Sequence, residues 1–89
     1  MLKIWGKIIK NNKIIKDDVA VSDIEGTYQE NLKQCINELC YKFDISKPYW
    51  LPTNLDEYNK RNKTSFTEDN FVEQIDFDKF TIEELDIKG

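Results

Sequence analysis

Apolar and polar residues alternate from Leu2 to Val21, and Asn11-Asn12 interrupts the pattern between two Ile-Ile pairs. A period of two is the signature of a β-strand with one face buried. Asparagine tolerates the positive φ that a two-residue type I′ turn demands. The segment therefore predicts a β-hairpin. With that turn Ile8 faces Ile15, Ile4 faces Val19 and Leu2 faces Val21, which places Leu2, Ile4, Ile8, Ile15, Val19 and Val21 on the core face. The opposite face carries Lys3, Trp5, Lys7, Ile9, Ile14, Lys16 and Asp18. This register sets Lys7 against Lys16, an unfavourable pair that a bulge near Gly6 would relieve.

Beyond a turn at Ser22 to Gly26 the period changes. Thr27-Tyr28-Gln29-Glu30 reads as a capping box, in which the threonine hydroxyl and the glutamate carboxylate each satisfy a backbone N–H. Tyr28, Leu32, Cys35, Ile36, Leu39 and Phe43 follow at helical spacing, predicting an amphipathic helix over 28–43. Pro48 bars its continuation. Ile45 to Leu51 is an apolar loop. Asn54-Leu55-Asp56-Glu57 opens a short helix that runs to about Arg61. Thr67 caps a third, with Phe66 and Phe71 as its hydrophobic staple and Phe71, Val72 and Ile75 on its inner side. Asp78 to Ile87 reads as a last strand, in which a bulge at Glu83-Glu84 keeps Phe80, Ile82, Leu85 and Ile87 on one face. The expected order is β-β-α-α-α-β. It predicts an α+β domain in which a three-stranded antiparallel sheet carries the long helix on one face, with the last strand beside the first.

Composition narrows what such a domain does. The chain has 89 residues, enough for one domain and one modest core. Eleven aromatics argue against disorder. Histidine is absent, which removes the commonest general base and metal ligand. Three glycines leave no glycine-rich phosphate loop. No stretch approaches a membrane span or a signal peptide, so the expected location is cytoplasmic. Cys35 and Cys40 lie too far apart along and around a helix to form a disulfide, and are expected as reduced residues of the core. Serine and cysteine lack a histidine to activate them, so the chain predicts no enzyme, no catalytic residue and no cofactor.

Three residue sets remain. The carboxylates Glu68, Asp69, Glu73, Asp76 and Asp78 have no calcium-loop spacing, and no metal site is expected from them. The hairpin lysines Lys3, Lys7, Lys10, Lys13 and Lys16, beside Trp5, have the chemistry of a weak single-stranded nucleic-acid platform; the same lysines also block edge-to-edge aggregation without any ligand. Trp5, Ile9 and Ile14 on the outer hairpin face, and Tyr49 and Trp50 in the loop, have the chemistry of interface anchors for a protein partner or a homodimer, although the loop aromatics equally suit packing over the core. Formal charge is −4 overall, yet residues 1–16 carry +5 and residues 64–89 carry −6. Pairing of the last strand with the hairpin would cancel much of this asymmetry; left exposed, the acidic part would imitate nucleic acid. The leading expectation is a small non-enzymatic interaction module, and the alternative is the nucleic-acid binder.

The opening Leu2-Lys3-Ile4-Trp5-Gly6-Lys7-Ile8-Ile9-Lys10, the stretch Lys47-Pro48-Tyr49-Trp50-Leu51 and the run from Phe66 to Asp78 together resemble a group of small uncharacterised proteins of low-GC anaerobic Gram-positive bacteria. The resemblance covers nearly the whole chain. It implies a bacterial cytosolic protein and carries over no functional residue.

Overall fold

The computed structural model describes residues 1–85. Two strands, β1 (Leu2–Lys10) and β2 (Lys13–Ser22), form the hairpin, and helix α1 (Tyr28–Phe43) follows. Helix α2 (Pro52–Arg61), strand β3 (Lys63–Phe66), a 3-10 turn at Glu68–Asn70 and strand β4 (Lys79–Glu84) complete the chain. The fold is α+β, as the sequence predicts, but the antiparallel sheet has four strands rather than three, in the order β2-β1-β4-β3. Lys63–Phe66 is the strand that periodicity misses. It is four residues long, and its backbone is satisfied by distant β4, through pairs from Lys63↔Glu83 to Phe66↔Phe80. The last strand lies beside the first, as expected, with Gly6 facing Ile82 and Ile8 facing Phe80.

The hairpin turn has the expected chemistry: φ is 54° at Asn11 and 65° at Asn12. Its register differs from the expected one. The pairs Ile9↔Ile14 and Lys10↔Lys13 are followed by Ile8↔Lys16, so Ile15 is an extra residue and the bulge sits there rather than near Gly6. Every later pair shifts by one and β2 reverses its faces. Leu2 faces Ser22 and Ile4 faces Ala20, while Ile15, Val19 and Val21 leave the expected core face and are exposed. Lys7 faces Asp17 rather than Lys16. Close packing explains the choice. Helix α1 crosses β1 and β2 at Gly6, Ala20 and Ser22; a Cβ at Gly6 would lie 2.8 Å from Leu39 Cδ1, and the Cys35 thiol contacts the Leu2 and Ala20 carbonyl oxygens at 3.8 and 3.7 Å. Valines beneath the helix would overpack it.

Helix α1 carries the predicted capping box. Thr27 Oγ1 accepts from the Glu30 N–H at 3.1 Å, and Glu30 Oε1 accepts from the Thr27 N–H at 2.8 Å. Leu32, Cys35, Ile36, Leu39, Cys40 and Phe43 are buried on the sheet. Helix α2 starts two residues before the expected cap, with Pro52 in its first turn, where no N–H is needed. Asn54 lies inside the helix and its Oδ1 accepts from the Leu51 N–H at 3.1 Å. The expected third helix is only the 3-10 turn, capped by Thr67. The expected bulge at Glu83-Glu84 is absent, because β4 pairs regularly with β1 through Glu84. Leu85 is half-buried, and Ile87 lies outside the described residues.

Both helices and the loop aromatics share one side of the sheet. Trp50 packs edge-on against Tyr58 and Phe66, and Phe43 and Phe66 pack on Phe80. Three partly hydrophilic ties close that side. Lys42 spans Glu38 (3.2 Å) and Asp18 (3.6 Å), joining α1 to β2. Asn54 Nδ2 donates to Thr64 Oγ1 and to the Ser65 carbonyl, both at 2.9 Å, and its Oδ1 accepts from Asn70. The hydroxyls of Tyr28 and Tyr58 bond to each other at 2.8 Å, and Tyr28 donates to Glu84 at 2.6 Å.

Candidate functional site: the bare face of the sheet

Strand alternation assigns the other face. Even-numbered residues of β1, β3 and β4 point toward the helices, so Lys3, Trp5, Lys7 and Ile9 of β1, Lys63 and Ser65 of β3, and Lys79, Thr81 and Glu83 of β4 point away from them. Ile14 of β2 keeps its expected place on this face, and the bulge adds Asp17, Val19 and Val21. No helix covers it among the described residues.

The face has two halves. On β2 and β1, Val21 (45 % exposed), Val19 and Ile14 lie beside Trp5 and Ile9, with the exposed Ile15 of the bulge at the margin. Trp5 is fixed rather than free. Its indole N–H donates to Asp17 at 3.0 Å, and the Lys7 ammonium stands 4.1 Å above its ring. Lys7 also reaches Glu83 at 3.6 Å, tying β1 to β4. On β4 and β3 the face is hydrophilic: the Ser65 and Thr81 hydroxyls bond at 2.8 Å, with Lys7, Lys63 and Lys79 about them.

Of the residues that the sequence marks as interface candidates, Trp5, Ile9 and Ile14 come together here. Trp50 does not, because the core takes it on the opposite side of the sheet. Tyr49 stays exposed, while its backbone is held by Asn70: the Tyr49 N–H donates to the Asn70 carbonyl oxygen, and Asn70 Nδ2 donates to the Tyr49 carbonyl oxygen, at 2.6 Å each. The hairpin lysines do not form one patch. Lys3 and Lys7 are on the bare face, Lys10 and Lys13 flank the turn, and Lys16 lies on the helix side. Val19 and Val21 join this face only through the bulge, and Lys63 only through β3.

The remaining chemistry is quiet. Cys35 and Cys40 are buried free thiols, and burial pushes each up to about 11, away from the reactive thiolate. Burial, and then the bond to Glu84, hold the Tyr28 hydroxyl above its ordinary range. Ser22 donates to Asn31 at 2.7 Å. An open cleft of about 430 Å³ carries the carboxylates of Asp44, Glu73 and Asp76. Among the described residues no three histidine, cysteine or carboxylate side chains gather closely enough to hold a metal ion. Glu68 and Asp69 open the 3-10 turn, and Asp78 accepts from the Asn11 N–H at 2.8 Å. No helix of the described residues is long and apolar enough to cross a membrane. Comparison with protein-family models, curated proteins and solved structures found no match.

Proposed function

We propose that this protein is a non-enzymatic interaction module that binds a second polypeptide on the bare face of its sheet, and that the first occupant is a second copy of itself. The observation that carries this reading is the one-sided fold. Both helices lie on one side, leaving Trp5, Ile9, Ile14, Val19 and Val21 on the other. An apolar strip of this kind on a small acidic domain reads as a contact surface rather than as ordinary surface. The strip is flanked by both signs of charge, Asp17 and Glu83 against Lys3, Lys7 and Lys63. A mixed rim suits a two-fold contact, because each copy offers the other an acid for a base. Sheets stack in this manner about 10 Å apart.

Face contact is favoured over strand addition at the free edge of β2. There the Asp18 carboxylate takes the Val19 N–H at 2.7 Å, which competes with an incoming strand. The nucleic-acid reading gains less support. The Lys7 ammonium occupies a face of Trp5 on which a base would stack, and the hairpin lysines are dispersed. Among the described residues the acids of the C-terminal part are divided, with Glu83 on the bare face, Glu84 tied to Tyr28, and Glu73 and Asp76 in the open cleft, so nucleic-acid mimicry gains less support as well.

Sedimentation equilibrium tests the reading with the wild-type chain and the Val19→Ser/Val21→Ser variant. The expected result is a concentration-dependent dimer that the variant loses while its unfolding midpoint stays nearly unchanged. A wild-type chain that stays monomeric into the millimolar range overturns self-association.

A further inference from the structure

The hydrophilic half of the bare face holds a cavity of about 220 Å³ that borders the proposed contact at Lys7, Ile9 and Lys63. From the arrangement of its lining we propose that it is an anion site, and that its ligand is a phosphoryl group.

Strand register builds the site. Lys7, Thr81 and Ser65 form one row across β1, β4 and β3. Adjacent strands lie about 4.8 Å apart, and residues two apart on one strand about 6.8 Å. The row therefore puts the Ser65–Thr81 hydroxyl pair at the centre, with Lys7 at one end. Lys63 stands two residues before Ser65, and Lys79 two residues before Thr81. Because the strands are antiparallel, these two lysines lie on opposite sides of the row. Lys63 and Lys79 thus stand on either side of a hydroxyl floor, while the Lys7 ammonium is held over Trp5 and against Glu83. That floor is sheltered, since Thr81 is only 8 % exposed although it points away from the helices. Ile9 supplies an apolar wall.

The hydroxyl pair has spare donor capacity. Two hydroxyls that bond to each other consume one O–H, and the other O–H remains to donate outward. Lysine ammonium groups add three donors each. The two nearby acids are already engaged. Glu83 meets Lys7 at 3.6 Å, and Glu57 accepts from the Thr64 hydroxyl at 2.7 Å. Among the described residues Lys63 and Lys79 form no ion pair. A positive pocket on a chain of net charge −4 is a local exception that an anion would exploit. Tetrahedral phosphate suits ammonium groups on two sides of a hydroxyl floor better than a planar carboxylate, which matches the fork of an arginine. The site lies on β3 and β4, at the rim of the proposed dimer contact, and holds whether or not the protein self-associates.

The test is a titration with inorganic phosphate at low salt, followed by amide chemical shifts. Saturable shifts are expected at Lys63, Ser65, Lys79 and Thr81. Affinity should fall at least tenfold in Lys63→Gln/Lys79→Gln and stay unchanged in Lys16→Gln, which alters a lysine on the other face. Linear shifts spread over all lysines, or equal affinity in the two variants, would overturn the assignment. Two further arms, a nucleoside monophosphate and a short oligothymidine, identify the source of the phosphate. Saturation by the monoester alone assigns a small phosphorylated ligand, and saturation by the oligomer assigns a polynucleotide backbone. Failure of phosphate and both arms to saturate the site removes it.

Discussion

Gly6 is the residue on which the sheet–helix contact turns. Its backbone needs no left-handed conformation; it needs space, because a Cβ would lie 2.8 Å from Leu39 Cδ1 and 3.1 Å from Phe80 Cε1. Both neighbours are buried. Gly6→Ala is expected to destabilise the fold by about 1–3 kcal/mol, through overpacking, which a lower urea midpoint at unchanged slope would report. Asn54 has a comparable role among hydrogen bonds. Its amide serves Leu51, Thr64, Ser65 and Asn70 at once. Asn54→Ala leaves buried partners unsatisfied and should cost about 2–4 kcal/mol by the same assay. The two thiols add a pH dependence. Burial raises Cys35 and Cys40 from near 9.0 to about 11, and Tyr58 from 10.0 to about 12. A raised acid is neutral when folded and ionises first when unfolded. Its stabilisation is therefore complete below the unfolded values of 9 to 10, falls as pH rises above them, and is gone beyond the folded values of about 11 to about 12. Denaturant midpoints measured from pH 8 to 11 should fall steadily, and the fall should shrink in Cys35→Ala/Cys40→Ala.

At the scale of elements, legibility follows the range of the interactions. Helix α1 and its capping box were readable because Thr27, Glu30 and the apolar stripe act within a few residues of each other. The Asn11-Asn12 turn was readable for the same reason. Strand β3 was not, since Lys-Thr-Ser-Phe has little β signal of its own and β4 supplies its partners from sixteen residues away, as in the Ser65–Thr81 bond. The reversal of β2 has a similar origin. Ile15, Val19 and Val21 form the more apolar alternate set, and periodicity alone sends them inward. The close crossing of α1 reserves that side for Ala20 and Ser22. The candidate site was legible in Trp5 and Ile9 of β1, which keeps its expected faces, and in Ile14, which pairs ahead of the bulge. Deleting Ile15 takes out the unpaired residue and closes the ladder in the register it already has, with Val19 still facing Trp5, so it should cost below about 1 kcal/mol, whereas deleting Ile15 and Lys16 together turns Val19 and Val21 beneath α1 and should cost several kcal/mol.

For the whole molecule, the sheet acts as a divider. Nearly all large aromatics, including Trp50, Phe66 and Phe80, lie on the helix side, and Trp5 alone of the tryptophans lies on the other. The strong charge asymmetry of the sequence is partly spent between strands, as Lys7 meets Glu83 and Asp17 faces Lys7. What remains is a face with an apolar half and a basic half, the proposed place of contact. Intermolecular nuclear Overhauser effects in a mixture of labelled and unlabelled chains test this most directly. The account predicts effects between copies at the Val19 and Val21 methyl groups and the Trp5 ring, absent from the helix face. Their complete absence at millimolar concentration, or their appearance at residues of α1 and α2 instead, would contradict it.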